Sequence, residues 1–95
     1  MFKDLDPILH SQLRLSVVSI LMSVDQASFN YIRDETQATS GNLSIQIKKL
    51  QDAGYIKVKK TFKNNYPNTS LSITKQGMEA FENYVNSLKS YINPK

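Results

Sequence analysis

Residues 39–56, TSGNLSIQIKKLQDAGYI, constrain the fold more than any other segment, because they describe a helix with both ends marked. The Thr39 hydroxyl can accept from the first free backbone N–H groups, and Gly54 stands where a helix commonly closes with a left-handed residue. Between these ends Leu43, Ile47 and Leu50 recur at i, i+4 and i+7, which makes one apolar stripe. At about 100° per residue the opposite face collects Gly41, Asn42, Ile45, Lys48 and Lys49. A major groove is read by hydrogen-bonding and apolar side chains and held through cations on the phosphates, and this face offers both.

The residues that follow alternate. In YIKVKKTF, Ile56, Val58 and Phe62 fall on one side and Lys57, Lys59 and Thr61 on the other, the period of a half-buried strand. KNNYPN then predicts a reversal, since Asn64, Asn65 and Asn68 tolerate left-handed backbone and Pro67 cannot continue a ladder. The chain returns as TSLSIT with Leu71 and Ile73 facing inward. The whole is a hairpin with a polar tip.

The formal net charge of +4 is local. Residues 48–63 hold six lysines against Asp52 alone, whereas residues 1–47 hold three Lys or Arg against five acids. Cations gathered on half a helix and one strand are the footprint of a polyanion, most often nucleic acid. A merely solvated lysine face is the competing explanation, and the capped helix beside the hairpin weighs against it.

Around this unit the sequence predicts further helices. SQLRLSVVSILMSV places Leu13, Val17, Ile20 and Leu21 on one face, flanked by Val18 and Val24, with Ser11 as its cap. SFNYIRDETQ sets Phe29 and Ile32 at i and i+3, and Gln37, Ala38 and Thr39 form a three-residue turn into the marked helix. The last helix, capped by Thr74 and running over about 75–91, carries Met78, Phe81, Val85, Leu88 and Ile92 at steps of three and four, with Tyr84 and Tyr91 on the flank. This apolar face is wider than a three-helix core would cover, which predicts dimerisation. Its partners would be Phe2, Leu5, Ile8 and Leu9, from the same chain or another.

With these elements in place the chain resembles the winged helix-turn-helix regulators of the MarR and ArsR kind, and most closely the short stand-alone winged-helix DNA-binding proteins of bacteria. The resemblance is carried by LDPILHSQLRLSVVSIL, FNYIRDETQATSGNLSIQIKKLQDAGYI and SLSITKQGMEAFENYV, with GNLS, KKL, AGYI and ITKQG the most specific parts. PNTSLSIT departs from the family pattern in lacking a basic residue after the proline. The resemblance implies a mainly α fold with a small β-hairpin: a three-helix core, a β-wing and a C-terminal dimerisation helix. It implies one winged-helix domain over residues 1–95, with the recognition helix at about 40–53, the wing at about 55–74 and the last helix at about 75–91. It further implies a homodimer on a pseudo-palindromic operator, third helix in the major groove and wing against the backbone.

The expected DNA-binding residues are Thr39, Ser40, Gly41, Asn42, Ser44, Ile45, Lys48, Lys49, Lys57, Lys59, Lys60, Lys63, Asn64 and Asn65. Of these, Asn42, Ser44 and Ile45 would read bases. Asn42 would pair with adenine and Ile45 would touch a thymine methyl. The expected dimer interface comprises Phe2, Leu5, Leu9, Phe81, Tyr84, Val85, Leu88, Tyr91 and Ile92. The function so indicated is a sequence-specific double-stranded DNA-binding transcriptional regulator. The alternative is a winged-helix adaptor that binds protein or RNA through the same basic face.

Ninety-five residues are expected to make one module, with no cofactor and a cytoplasmic location. No segment nears the roughly 20 apolar residues of a membrane span, and MFKDLDPILHS mixes acids into what would be a leader. The absence of cysteine, with His10 the only histidine, argues against a metal-sensing site. Enzymatic chemistry finds no constellation, since Asp34 and Glu35 are adjacent and diverge on a helix, and Gly41, Gly54 and Gly77 form no phosphate-cradling loop. A small-molecule effector has no visible site, although an apolar crevice between the first and last helices would suit a small aromatic.

Overall fold

The computed structural model describes residues 1–93. In order, the elements are α1 (Gln12–Met22), β1 (Ala27–Ser28), α2 (Phe29–Thr36), α3 (Ser40–Asp52), β2 (Ile56–Lys63), β3 (Tyr66–Ile73) and α4 (Lys75–Ile92). The strands form one antiparallel sheet in the order β1-β3-β2. The helices and this sheet enclose the core, which joins Leu9, Val17, Val18, Leu21, Ala27, Ile32, Leu43, Ile47, Leu50, Ile56, Leu71 and Tyr84. This is the winged-helix architecture that the sequence predicts.

Local chemistry explains most boundaries. Thr39 caps α3 by accepting from the Asn42 N–H at 3.2 Å. At the other end the Tyr55 N–H donates to the Leu50 carbonyl and the Gly54 N–H to Gln51. That pair of bonds is a Schellman closure, and Gly54 takes the left-handed φ of +82° that it needs. Ser28 caps α2 through the Tyr31 N–H, and Gln37 ends that helix in left-handed backbone at φ 59°. Residues 37–39 therefore make the turn of a helix-turn-helix. The Thr74 hydroxyl accepts from the Gly77 N–H to start α4 and donates to the Gly54 carbonyl, while the Thr74 N–H donates to the Tyr55 carbonyl. The end of α3, the start of β2 and the start of α4 are thus tied at one point.

Several expectations need correction. Ser11 stands at the α1 N-cap, yet its hydroxyl makes no capping bond; its N–H donates to Leu9 and its carbonyl accepts from Leu15. Val18 is fully buried and not a flank, whereas Val24, beyond the helix end, is exposed. Within the hairpin, Asn64 and Asn65 alone form the loop, at φ 53° and 66°, the signature of a two-residue type I′ turn. Pro67 does not end the ladder but sits in β3 opposite Phe62. Since β1 pairs only with Ser70 and Leu71, Pro67 lies where β3 has no second neighbour, the sheet position a proline tolerates. Phe62 follows the strand alternation but lies past the end of the core, and it is 79% exposed.

Two residues expected at a dimer interface are inside the chain instead. Leu9 is fully buried: the Asp6 carboxylate accepts from the Ile8 N–H at 2.8 Å and the Asp6 carbonyl from His10, a turn that aims Leu9 into the core. Tyr84 is only 5% exposed and meets His10 Nδ1 through its hydroxyl at 3.1 Å. Leu5, Phe81 and Leu88 are half-buried against the core. The apolar residues of α4 that remain exposed are Met78, Val85, Tyr91 and Ile92.

Candidate nucleic-acid interface

The exposed side of α3 follows from its buried stripe. With Leu43, Ile47 and Leu50 in the core, the helix turns Gly41, Ile45, Lys48 and Lys49 to solvent. Ile45 lies nearly opposite the stripe and is 57% exposed, a large apolar side chain left mostly uncovered. Gly41 adds open space, since a Cβ there would meet nothing within 4 Å. Together they leave the middle of α3 able to approach another surface closely.

On one flank the helix faces the wing across a cleft of about 370 Å³. Phe29, Ile47 and Val58 give the cleft its apolar lining, while Ser44, Lys48 and Gln51 of α3 and Lys60 and Thr69 of the wing supply polar groups. Lys60 reaches this side because it shares the Ile56 and Val58 face of β2; Lys57, Lys59 and Lys63 project from the other face. The six lysines read from the sequence as one patch are therefore distributed. Lys48 and Lys60 border the cleft, Lys49 lies on the opposite side of α3, and the remaining three lie on the far face of the wing. Lys48 also pairs with Asp52 at 2.7 Å, one turn on. Both partners are exposed, so the pair contributes no more than about 1 kcal/mol and yields readily to a phosphate.

The other flank of α3 holds groups the sequence did not single out. Asn42 Oδ1 accepts from Gln46 Nε2 at 3.0 Å, and Gln46 Oε1 accepts from the Arg14 guanidinium. Arg14 also donates to the Ile8 and Pro7 carbonyls. Arg33 donates to Ser40 Oγ at 3.3 Å, so a cation from α2 stands at the first turn of α3. The i, i+4 spacing of Asn42 and Gln46 is visible in the sequence. The approach of Arg14, 32 residues from Gln46, is not. Asn64 and Asn65 lie at the wing tip as expected, with Tyr66 exposed beside them, and Phe62, which the alternation set on the inward side, is a second exposed aromatic there.

Elsewhere, Tyr55 donates its hydroxyl to Asp6 Oδ2. Burial first, then this bond and the carboxylate charge, push the Tyr55 hydroxyl up to about 12. Among the described residues no helix is long and apolar enough to cross a membrane, and no three His, Asp or Glu side chains gather as metal ligands.

Comparison with known proteins identifies the family and the fold. Residues 13–92 match a family described as a winged helix DNA-binding domain. An uncharacterized protein of Methanocaldococcus jannaschii is 32% identical over 78 residues, covering 82% of this chain and 85% of its own. The structure of a transcriptional regulator homologue from Pyrococcus horikoshii OT3 superposes with a TM-score of 0.85 at 32% identity, covering 92% of this chain and 86% of that one. Both are archaeal, whereas the resemblance seen in the sequence was to a bacterial group. Bacillus subtilis PadR, solved in complex with operator DNA, shares the fold at a TM-score of 0.71 and 17% identity, over 79% of this chain and 47% of its own.

Proposed function

We propose that this chain, which belongs to the winged helix DNA-binding domain family, is a sequence-specific transcriptional regulator that lays α3 in the major groove of duplex DNA and its wing along the adjoining backbone. The carrying observation is the exposed Ile45-centred face of α3, flanked on its wing side by the cleft that Lys48 and Lys60 line. An apolar centre suits a thymine methyl, and the lysines at its edge suit phosphates. Thr39, Ser40 and Gly41 stand at the helix N-terminus, where backbone N–H groups and the helix dipole favour a phosphate. Lys57, Lys59 and Lys63 on the far face of the wing, with Asn64 and Asn65 at its tip, would meet the backbone beyond the groove.

The working unit in this reading is a homodimer on a pseudo-palindromic site. Support comes from α4, where Met78, Val85 and Ile92 recur every seven residues and stay exposed. At the same end Phe2 packs on Tyr91 with ring centroids 5.1 Å apart, and the Tyr91 hydroxyl donates to the Lys3 carbonyl. Both rings remain partly uncovered, which continues the apolar stripe onto the N-terminal segment.

Selection from a random duplex pool, repeated at several salt concentrations, tests the proposal. Ile45→Ala should cost about 1 to 3 kcal/mol on the selected sequence and flatten discrimination, whereas Lys60→Ala should weaken all duplexes alike and shallow the salt slope by about 1. Retention of no duplex, with capture of RNA or protein by the same face, would favour the adaptor reading instead.

A further inference from the structure

We infer that Arg14, a half-buried residue of α1, fixes which end of the Asn42 amide is offered to the bases, and through it the base that α3 prefers. This rests on the reading of α3 as the element that enters the major groove.

The argument is one of hydrogen-bond polarity. A Gln or Asn amide has a carbonyl end that accepts and an NH₂ end that donates, and by shape alone either end fits. A guanidinium only donates. Arg14 is held in place by the Ile8 carbonyl, 2.6 Å from its Nε, and by the Pro7 carbonyl. Another guanidinium nitrogen faces the Gln46 amide, which must therefore present Oε1. Its NH₂ end then faces Asn42, which must present Oδ1 in turn, and this bond is 3.0 Å. The donor-only end of the chain thus sets the direction of every bond after it. Asn42 is left with Nδ2 free, and among the described residues that nitrogen has no partner. The residue is exposed in the first turn of α3, and its own N–H is fixed on Thr39 Oγ1.

An amide whose oxygen is engaged and whose nitrogen is free favours a base edge made of acceptors. In the major groove that edge is guanine, with O6 and N7, while cytosine shows a donor in the same place. Adenine, which the sequence alone suggested, takes the oxygen and the nitrogen of the amide together; with one lone pair of Oδ1 held by Gln46, only the second is left for it, so the unpartnered Nδ2 donor dominates what Asn42 offers. Arg14 is accordingly a positioning residue. It acts through Gln46 and touches no base.

Gln46→Glu tests this by reversing the polarity. A carboxylate still accepts from Arg14, but it offers Asn42 a second acceptor, so Asn42 must donate Nδ2 inward and turn Oδ1 outward. The added negative charge lowers affinity for all duplexes alike, so the readout is the base ratio at one position in selections from a random duplex pool. Asn42→Ala first locates that position by erasing its preference. We expect wild type to favour guanine over cytosine there by roughly tenfold, and Gln46→Glu to reverse the ratio. Gln46→Met, which breaks the chain without a charge, should bring the ratio to near one, and thermal melting confirms that each variant is folded. An unchanged guanine preference in Gln46→Glu and Gln46→Met, or a wild-type preference for cytosine, would overturn the inference. Failure of wild type to enrich any duplex would refute the DNA-reading proposal itself, a different result from enrichment without reversal.

Discussion

Gly77→Ala should be among the most damaging single-methyl changes in this chain, although alanine is the better helix former. Gly77 is buried in the first turn of α4, and a Cβ there would lie 2.1 Å from the Tyr55 carbonyl oxygen and 3.0 Å from Ile73 Cγ1. The first neighbour is backbone and cannot swing aside. That carbonyl accepts the Thr74 N–H at 3.0 Å, and Thr74 also bonds Gly54, so relief requires α4 to lift away from the point where three elements are tied. Overpacking costs about 1 to 3 kcal/mol, with the upper end expected against a rigid neighbour. A weakened Thr74 to Tyr55 bond adds about 1 kcal/mol. Helix propensity returns about 1 kcal/mol. The net is a loss of about 2 to 3 kcal/mol, which in a domain of this size lowers Tm by about 10 to 20 °C. Gly41→Ala is the internal control, because its Cβ meets nothing and only the propensity gain remains. Urea denaturation followed by circular dichroism, on both variants and wild type, gives the comparison. A Gly77→Ala protein as stable as wild type would show that α4 does not sit as close to Tyr55 as described, and the whole argument would fail.

Tyr55 predicts an alkaline effect. Its hydroxyl is raised from 10.0 to about 12, so the neutral form is favoured by folding; the stabilisation is complete below about pH 10 and is lost as pH climbs toward 12. Tyr55→Phe should remove that part of the pH dependence in denaturation curves, and an identical alkaline profile would contradict it. Phe62→Ser should change stability by less than about 0.5 kcal/mol despite removing a phenyl ring, because the ring buries little; a larger loss in thermal melting would mean that the wing folds onto something. Asn65→Gly should stabilise the hairpin by up to about 1 kcal/mol, since Asn-Gly suits a type I′ turn better than Asn-Asn, and chemical denaturation showing a loss would argue against that turn. Val85→Glu should leave the fold intact and shift sedimentation toward a monomer, whereas a wild-type chain already monomeric at micromolar concentration would remove the basis for the dimer.

What was legible in the sequence was what neighbouring residues decide among themselves. Thr39, Gly54 and the Leu43, Ile47 and Leu50 stripe are each settled within one turn of helix, and all three read correctly. Phe62 misled because alternation gives the side of a strand but not the distance over which a core extends beneath it. The α4 residues misled for a related reason: a seam at steps of three and four marks a wide apolar face, and only the position of α1 and of the Asp6 turn decides that Tyr84 goes inward while Val85 stays out. Arg14 was illegible altogether, since nothing along the chain brings it to Gln46.

The place of β2 at one margin of the sheet has a consequence for handling the protein. Its far edge carries a row of backbone N–H and C=O groups that, among the described residues, have no strand beside them, the kind of border along which identical chains can zip together. Lys57, Lys59, Lys60 and Lys63 discourage such pairing, because a second β2 laid alongside would bring like charges together for most of its length. Stripping several of them to examine DNA affinity would therefore also remove a barrier to fibrous self-association. A loss of binding in such multiple variants has to be read beside light scattering, since the charges proposed to hold a polyanion also keep one molecule from templating the next.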